Sequence, residues 1–481
     1  MRKRDDDDGK NDTCGHLLDR DERGVVKVRK AIDNFEARYS YVTNEGTTFY
    51  FITNLNAPRN RLVAIDFAEE QLLVKNVMPQ HGTDILKSLS PASDKSTGKT
   101  VLVAKYMHDC RSVLKVLSFE DTSMQPGTCL RTIRLPSVGS ATLRGVRKRR
   151  FRFFYSFTSF LYPGTVMSVE LLDTYGSDET TAMAQRVVSD MKVPGFDRDD
   201  FESEQVFYQS RDGTRVPMFI TRAKRRKDST VSSGASTRAC VLYGYGGFNI
   251  SLTPSFSISR ICFMKLFGAT YAIANCRGGG EYGVAWHKAG QKLNKQQVFT
   301  DFICAAEYLI EKKYTTASQL AIMGGSNGGL LVAACVLQRP DLFAAAICQV
   351  PVADMLRFHK FTIGYAWCGD YGNAEKNADE FEYMLRYSPV HNTHKLKDRN
   401  DVPATLVMTA DHDDRVVPLH SYKLIAGLQR DVSFSNPSPL LIRIERKAGH
   451  GAGKPTEKII DENSEVYAFV ANHTCAAFLK K

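Results

Sequence analysis

The chain has 481 residues, 43% of them hydrophobic, and a formal net charge of +11, so it exceeds one typical domain and can bury one or two sizeable cores. A membrane span is excluded as an expectation: the longest apolar candidate, Leu330 to Val350, is broken by Gln338, Arg339, Pro340 and Asp341, short of the roughly eighteen uninterrupted apolar residues a span needs. Eleven cysteines lie scattered from Cys14 to Cys475 with no C-x-x-C pair and no His/Cys cluster, which points to free thiols in a reducing compartment and to no metal site.

The opening MRKRDDDDGKND has no apolar stretch and does not read as a secretory signal, so a cytoplasmic location is expected. Residues 1–29 are charged and aperiodic and are expected to form a flexible lead-in. From 30 to 204 the pattern is that of strands. Tyr39–Thr43 and Thr47–Thr53 flank Asn44-Glu45-Gly46 as a hairpin; Val101–Met107 and Val113–Phe119 flank His108 to Arg111; Phe151–Phe157 and Thr165–Leu172 flank Tyr162-Pro163-Gly164. Hairpins at this spacing predict three to four propeller blades, with an irregular β-sandwich as the competing architecture. Two basic runs, Arg144–Arg152 and Arg222–Lys227, offer a nucleic-acid or nuclear-address reading, but no stacking-aromatic or helix-turn-helix pattern accompanies them, and solvated loop tips are the expectation.

From 205 to 481 the pattern changes. Asp212-Gly213 opens a last hairpin, and short apolar strands then alternate with helices. The strands are Ala239–Tyr243, Thr270–Asn275, Gln319–Met323, Ala345–Val350, Ala404–Ala410 and Leu440–Glu445, and the helices include Thr300–Lys312, Gly328–Gln338 and Ser421–Gln429. This predicts a mostly parallel, doubly wound α/β sheet. Gly324-Gly325-Ser326-Asn327-Gly328 sits between a strand and a helix, where a G-x-S-x-G turn projects a serine hydroxyl at the carboxyl end of the sheet. A hydroxyl needs a base, and the base needs an orienting carboxylate. Asp411, Asp413 and Asp414 follow one later strand and spacing does not choose among them; His450 follows the next, with an ordinary surface histidine as the competing reading. The Asn327 N–H and the turn Tyr243-Gly244-Tyr245-Gly246-Gly247-Phe248 supply candidate oxyanion donors. That turn matches neither G-x-G-x-x-G nor a G-K-[ST] loop, so no cofactor is expected there.

Together these motifs resemble the prolyl oligopeptidase (prolyl endopeptidase) family. The resemblance rests on LYGYGGFNIS at Leu242–Ser251, NCRGGGEYG at Asn275–Gly283, GGSNGGLL at Gly324–Leu331, DHDDRVVPLHS at Asp411–Ser421 and KAGHGAGKP at Lys447–Pro455, with YVTNEGT at Tyr41–Thr47. It implies an α/β-hydrolase domain preceded by a β-propeller, with Ser326 as nucleophile, Asp413 as orienting carboxylate and His450 as general base. It further implies the Tyr245 hydroxyl beside the Asn327 N–H in the oxyanion hole. Trp367 would form the floor of a proline pocket walled by Phe248, Val352, Tyr371 and Val416, where the residues alone place Trp367 in the core. Arg415 would hold a substrate carbonyl, against a surface ion pair with the neighbouring aspartates. The implied activity is a serine endopeptidase cutting short peptides on the carboxyl side of proline through an acyl-enzyme. It needs no cofactor, metal, nucleic acid or membrane, and acts as a monomer if complete. Other α/β-hydrolase esterases or peptidases, and an impaired product acting only by binding, are the alternatives. Family members carry an N-terminal segment and seven blades, so the expectation is a fragment, an incomplete gene model or a truncated isoform with an open site.

Overall fold

A computed structural model of the chain describes residues 32–479 apart from 35, 95–98, 120–124, 148–150, 172–182, 225–236, 433–434 and 452. The lead-in at 1–29, residues 148–150 of the first basic run and residues 225–227 of the second fall outside the described residues.

Three four-stranded antiparallel sheets come first. They comprise β1 (Tyr39–Glu45), β2 (Thr48–Thr53), β3 (Arg61–Asp66) and β4 (Lys75–Met78); β5 (Ile85–Asp94), β6 (Lys99–His108), β7 (Arg111–Ser118) and β8 (Cys129–Ile133); and β9 (Ser140–Arg147), β10 (Arg152–Ser159), β11 (Tyr162–Leu171) and β12 (Met183–Asp190). Each pairs in chain order, as propeller blades do. Apolar clusters fill the spaces between them. Ile52, Leu62 and Met78 of the first blade meet Leu102, Ala104 and Leu117 of the second, while Val103 and Leu114 of the second meet Phe153, Tyr155 and Phe157 of the third. The third hairpin differs from expectation. Its turn is Phe160-Leu161, since Ser159 pairs with Tyr162, and Pro163-Gly164 lie inside β11 where the register slips between Phe157 and Ser159. A bulge tolerates a proline because its missing N–H interrupts no ladder bond.

An eight-stranded sheet follows, in the order β13-β14-β16-β15-β17-β18-β19-β20. Its strands are β13 (Phe201–Gln209), β14 (Arg215–Ala223), β15 (Cys240–Tyr243), β16 (Thr270–Ala274), β17 (Leu320–Gly325), β18 (Ala345–Gln349), β19 (Ala404–Ala410) and β20 (Leu440–Glu445). β13, β14 and β16 pair antiparallel, and all pairs from β16 to β20 are parallel. Both faces are apolar because both are covered. Helices α1 (Ile258–Phe267) and α6 (Thr456–His473) lie on one side. On the other lie α2 (Gln296–Glu311), α3 (Asn327–Gln338), α4 (Ala378–Tyr387) and α5 (Leu419–Asp431). From β15 the chain first passes to β16 on one side and later to β17 on the other, and the crevice at such a reversal is where sheets of this kind bind ligands. Blade tips reach this domain: Cys110 and Phe160 pack into the cluster of Phe219, Met264 and Tyr271, and the Tyr282 hydroxyl donates to Asp109 Oδ1 at 2.7 Å.

Candidate active site

The reversal at β15 explains why residues far apart in sequence meet. The strand ends at Tyr243, and the chain turns through residues 244–249 with left-handed φ at Gly246 (60°), Phe248 (55°) and Asn249 (56°). A side chain on Gly246 would collide with Val298. The neighbouring strand β17 ends in the elbow, where Ser326 takes φ 59° and ψ −116° immediately before α3. That conformation is costly for a residue with a Cβ. It is held by Ser326 N–H donating to the Gln349 carbonyl at 2.8 Å, with the Ser326 carbonyl accepting from Gly329 N–H at 2.9 Å. A Cβ at Gly324 would strike the Gly328 carbonyl, so the turn closes only with glycine there.

Asp413 follows β19 and His450 follows β20. Among the three acids that spacing left open, Asp413 is 3% exposed. Its Oδ1 accepts from the N–H groups of Arg415 (3.0 Å) and Val416 (2.8 Å), and its Oδ2 lies 2.6 Å from His450 Nδ1. Asp411 is exposed and pairs instead with its neighbour His412 at 2.7 Å, and Asp414 is exposed. The structure thus joins Asp413 to His450; Ser326 makes no side-chain hydrogen bond to His450 here. Asn327 opens α3, where first-turn N–H groups lack intrahelical acceptors. Burial raises the Tyr245 phenol to about 12, so it remains a donor at neutral pH.

The predicted pocket residues share one apolar cluster, which contains Val352, Tyr371 and Val416 with Phe248 and Trp367 packed against it. Phe248 meets Tyr371 edge to face at 5.4 Å. Trp367 lies nearly parallel to Phe358, 6.3 Å away at 16°, and Phe358 is itself fully buried. Arg415 is exposed, makes no ion pair among the described residues, and exerts its charge on Tyr245.

Sequence reasoning missed four residues around this site. Phe358 backs Trp367. Asp370 is buried and accepts the Phe248 N–H at 2.6 Å through Oδ2, and its Oδ1 lies 2.6 Å from His287 Nε2. Lys295, 1% exposed, donates from Nζ to the Gly246 carbonyl and to Asn327 Oδ1, each at 2.9 Å. None belongs to a local motif, since each acts across 32 to 122 positions of sequence or through a ring contact. The only signal was their nearness to motifs already marked.

A serine elbow at the switch point of a mostly parallel sheet, with an acid–histidine pair beyond the next strands, defines the α/β-hydrolase class. The sequence model described as "Prolyl oligopeptidase family" matches residues 254–476, and that described as "Prolyl oligopeptidase, N-terminal beta-propeller domain" matches 8–177. The chain is 40% identical over 458 residues to a prolyl endopeptidase of Dictyostelium discoideum, with 93% of this chain and 56% of that protein covered. It is likewise 40% identical over 438 residues to a prolyl endopeptidase of Elizabethkingia meningoseptica, covering 91% and 57%. Among solved structures, prolyl oligopeptidase B from Galerina marginata bound to a 35mer hydrolysis and macrocyclization substrate superposes with a TM-score of 0.82 at 36% identity, covering 95% of this chain and 61% of that one. The chain belongs to the prolyl oligopeptidase family, and it spans little more than half the length of the curated relatives it matches.

Proposed function

We propose that the chain is a serine endopeptidase that cuts short peptides on the carboxyl side of proline. The observation that carries this reading is the buried Asp413 carboxylate, fixed by two N–H groups and 2.6 Å from His450 Nδ1. A carboxylate so held sets the ring orientation and favours the imidazolium that forms when His450 takes the Ser326 proton. Ser326 Oγ then attacks the carbonyl carbon and the electron pair moves to the carbonyl oxygen, which the Tyr245 hydroxyl and the Asn327 N–H receive. The oxyanion pair then re-forms the carbonyl, the C–N bond breaks as His450 gives its proton to the leaving amine, and water, deprotonated by His450, attacks the acyl-enzyme in the same way, breaking the ester and returning the proton to Ser326 Oγ. The bond from Ser326 to His450 closes in the substrate complex, as such bonds commonly tighten there.

Proline suits the pocket because its ring is rigid, apolar and without an N–H to satisfy. It would stack on Trp367, whose plane Phe358 backs, between Phe248, Val352, Tyr371 and Val416, while exposed Arg415 holds a carbonyl one residue nearer the substrate's N-terminus. Short proline-containing peptides are the proposed partners. A reducing, cytoplasmic setting accompanies this reading, supported by ten described cysteines that are all unpaired; among the described residues no helix is long and apolar enough to cross a membrane.

The test is a fluorophosphonate probe beside a blocked proline substrate. Wild-type chain should label at Ser326 and turn over. Ser326→Ala should do neither while melting as wild type does, since losing one hydroxyl opens no cavity in the core. Near wild-type hydrolysis by Ser326→Ala would overturn the mechanism.

A further inference from the structure

Behind the turn that carries Tyr245 lies a polar network to which the reading above assigns no part. Its centre is the Asn327 side chain. Asn327 Oδ1 accepts from Lys295 Nζ and from the Tyr371 hydroxyl, each at 2.9 Å, and Asn327 Nδ2 donates to the Tyr245 carbonyl. Lys295 Nζ also donates to the Gly246 carbonyl and sits 5.3 Å from the Tyr371 ring centre. No carboxylate among the described residues lies within ion-pair distance of this ammonium. A buried, unpaired cation is expensive for the fold, and an apolar side chain of similar length is often no worse. Such a group beside a reaction centre therefore calls for a functional account.

We propose that Lys295 is a positioning residue of the oxyanion hole, clamping the Gly246 carbonyl to the Asn327 side chain so that the Tyr245 hydroxyl and the Asn327 N–H point at one oxygen. This deepens the proposed function and rests on it. The clamp joins the two donors where they originate: Gly246 adjoins Tyr245, and Asn327 contributes both the backbone donor and the side chain that Lys295 grips. The ammonium also places positive charge behind the developing oxyanion, in a medium that screens it little. Both effects grow as the carbonyl oxygen gains charge, so they lower the barrier without strengthening substrate binding. Phe248, which faces substrate, is held separately by Asp370.

The groups facing the ammonium are the Asp370 carboxylate, which lies 2.6 Å from His287 Nε2, the Cys276 thiol and the Tyr371 phenol. Burial pushes Lys295 down to about 8, opposed chiefly by the charge of Asp370. Burial also raises Cys276 and Tyr371 well above their usual ranges, so both keep their protons where Lys295 gives up its own, just above neutrality.

The experiment measures Lys295→Met in the full chain by steady-state kinetics on a blocked proline substrate, by the rate of fluorophosphonate labelling and by melting. Removing an oxyanion donor outright costs roughly 100- to 1,000-fold, so loss of its support should lower kcat and the labelling rate by about 10- to 100-fold, with KM nearly unchanged. Wild type should lose kcat above about pH 8, and the variant should lack that alkaline limb. Tyr371→Phe, which removes only the second hydrogen bond to Asn327 Oδ1, should lower kcat in the same direction by less, and it serves if Lys295→Met melts too early. Labelling and kcat at wild-type levels in a folded Lys295→Met, or a change confined to KM, overturns the proposal. A wild-type chain that labels but does not prefer proline defeats the specificity reading alone; one that does not label at all defeats both.

Discussion

In the blades, apolar surface is buried one face at a time. Along β10, Phe153, Tyr155 and Phe157 turn inward against the second blade, while Arg152, Phe154, Ser156 and Thr158 are only half-buried. In the eight-stranded sheet every residue of β19 is buried, because helices cover both sides. The first arrangement ends strands at both rims of each blade; the second delivers the ends of six parallel strands to a single edge. Catalytic groups need convergence from several strand ends, and only the parallel sheet supplies it. The groups proposed for catalysis, Ser326, Asp413, His450 and the Tyr245 turn, all follow such ends, and no member of this set comes from the blades.

Substitution at the acid should cost most. Asp413→Asn leaves the geometry but disturbs the tautomer His450 needs, and should lower kcat by about 10,000-fold. Asp411→Asn and Asp414→Asn should remain close to wild type, since both side chains face solvent. Equal losses in all three would mean that the pair at 2.6 Å is not the catalytic one.

A second pair of variants weighs the two cores. Phe302 is 0% exposed among the helices behind the elbow, and Phe157 is 1% exposed between two blades. Each replaced by alanine should cost about 3–5 kcal/mol of local stability. Phe302→Ala should lose fluorophosphonate labelling together with the fold, because α2 and α3 carry the supports of Ser326. Phe157→Ala should lower the melting of the blades yet still label at Ser326. Loss of labelling in both would make the two regions one cooperative unit.

These contrasts also show what could be read from the chain alone. The strands from Ala404 to Ala410 and from Leu440 to Glu445 were legible to the residue, because aliphatic and β-branched runs bounded by polar turns leave little freedom. The third blade hairpin was not, because Pro163-Gly164 is the strongest local turn signal while the actual turn is set by tertiary pairing of Ser159 with Tyr162. At the site, the elbow announced itself through glycines that a sharp turn requires. The choice of Asp413 over its neighbours depended on backbone N–H groups two and three residues away, and Phe358, Lys295 and Asp370 act through contacts that no local pattern records.

Trp367→Ala tests the pocket by a smaller margin. It should narrow the preference for proline over alanine substrates by roughly 1 to 3 kcal/mol, the scale of lost aromatic and apolar contact. The comparison is of kcat/KM for the two substrates, with Phe358→Leu as a companion expected to move the ratio less, since Phe358 backs the indole ring from within the core. An unchanged ratio in Trp367→Ala would remove Trp367 from the floor of the pocket.

The subtlest effect lies where the two regions meet. Glu281, in the turn beyond β16, is 2% exposed; its Oε1 accepts from Leu252 N–H at 2.9 Å and from Asn275 Nδ2 at 3.2 Å, while Oε2 is buried without a partner. Burial raises this carboxyl from its usual 4.5 to about 7, and Lys87, on β5 of the second blade, pulls it back. Between these two values the native state holds a proton that the unfolded chain has released, so the contribution of Glu281 to stability falls as pH rises from about 4.5 and levels off above about 7. Glu281→Gln keeps an acceptor for Leu252 and Asn275 and abolishes the titration. It should melt like wild type near pH 5 and above wild type near pH 8, in a series of melts spanning that window. Lys87→Met should carry the wild-type decline on to higher pH, because the carboxylate then loses the cation that favours it. Parallel curves for wild type and Glu281→Gln would show that Glu281 titrates as if exposed and that the blade charge does not reach it.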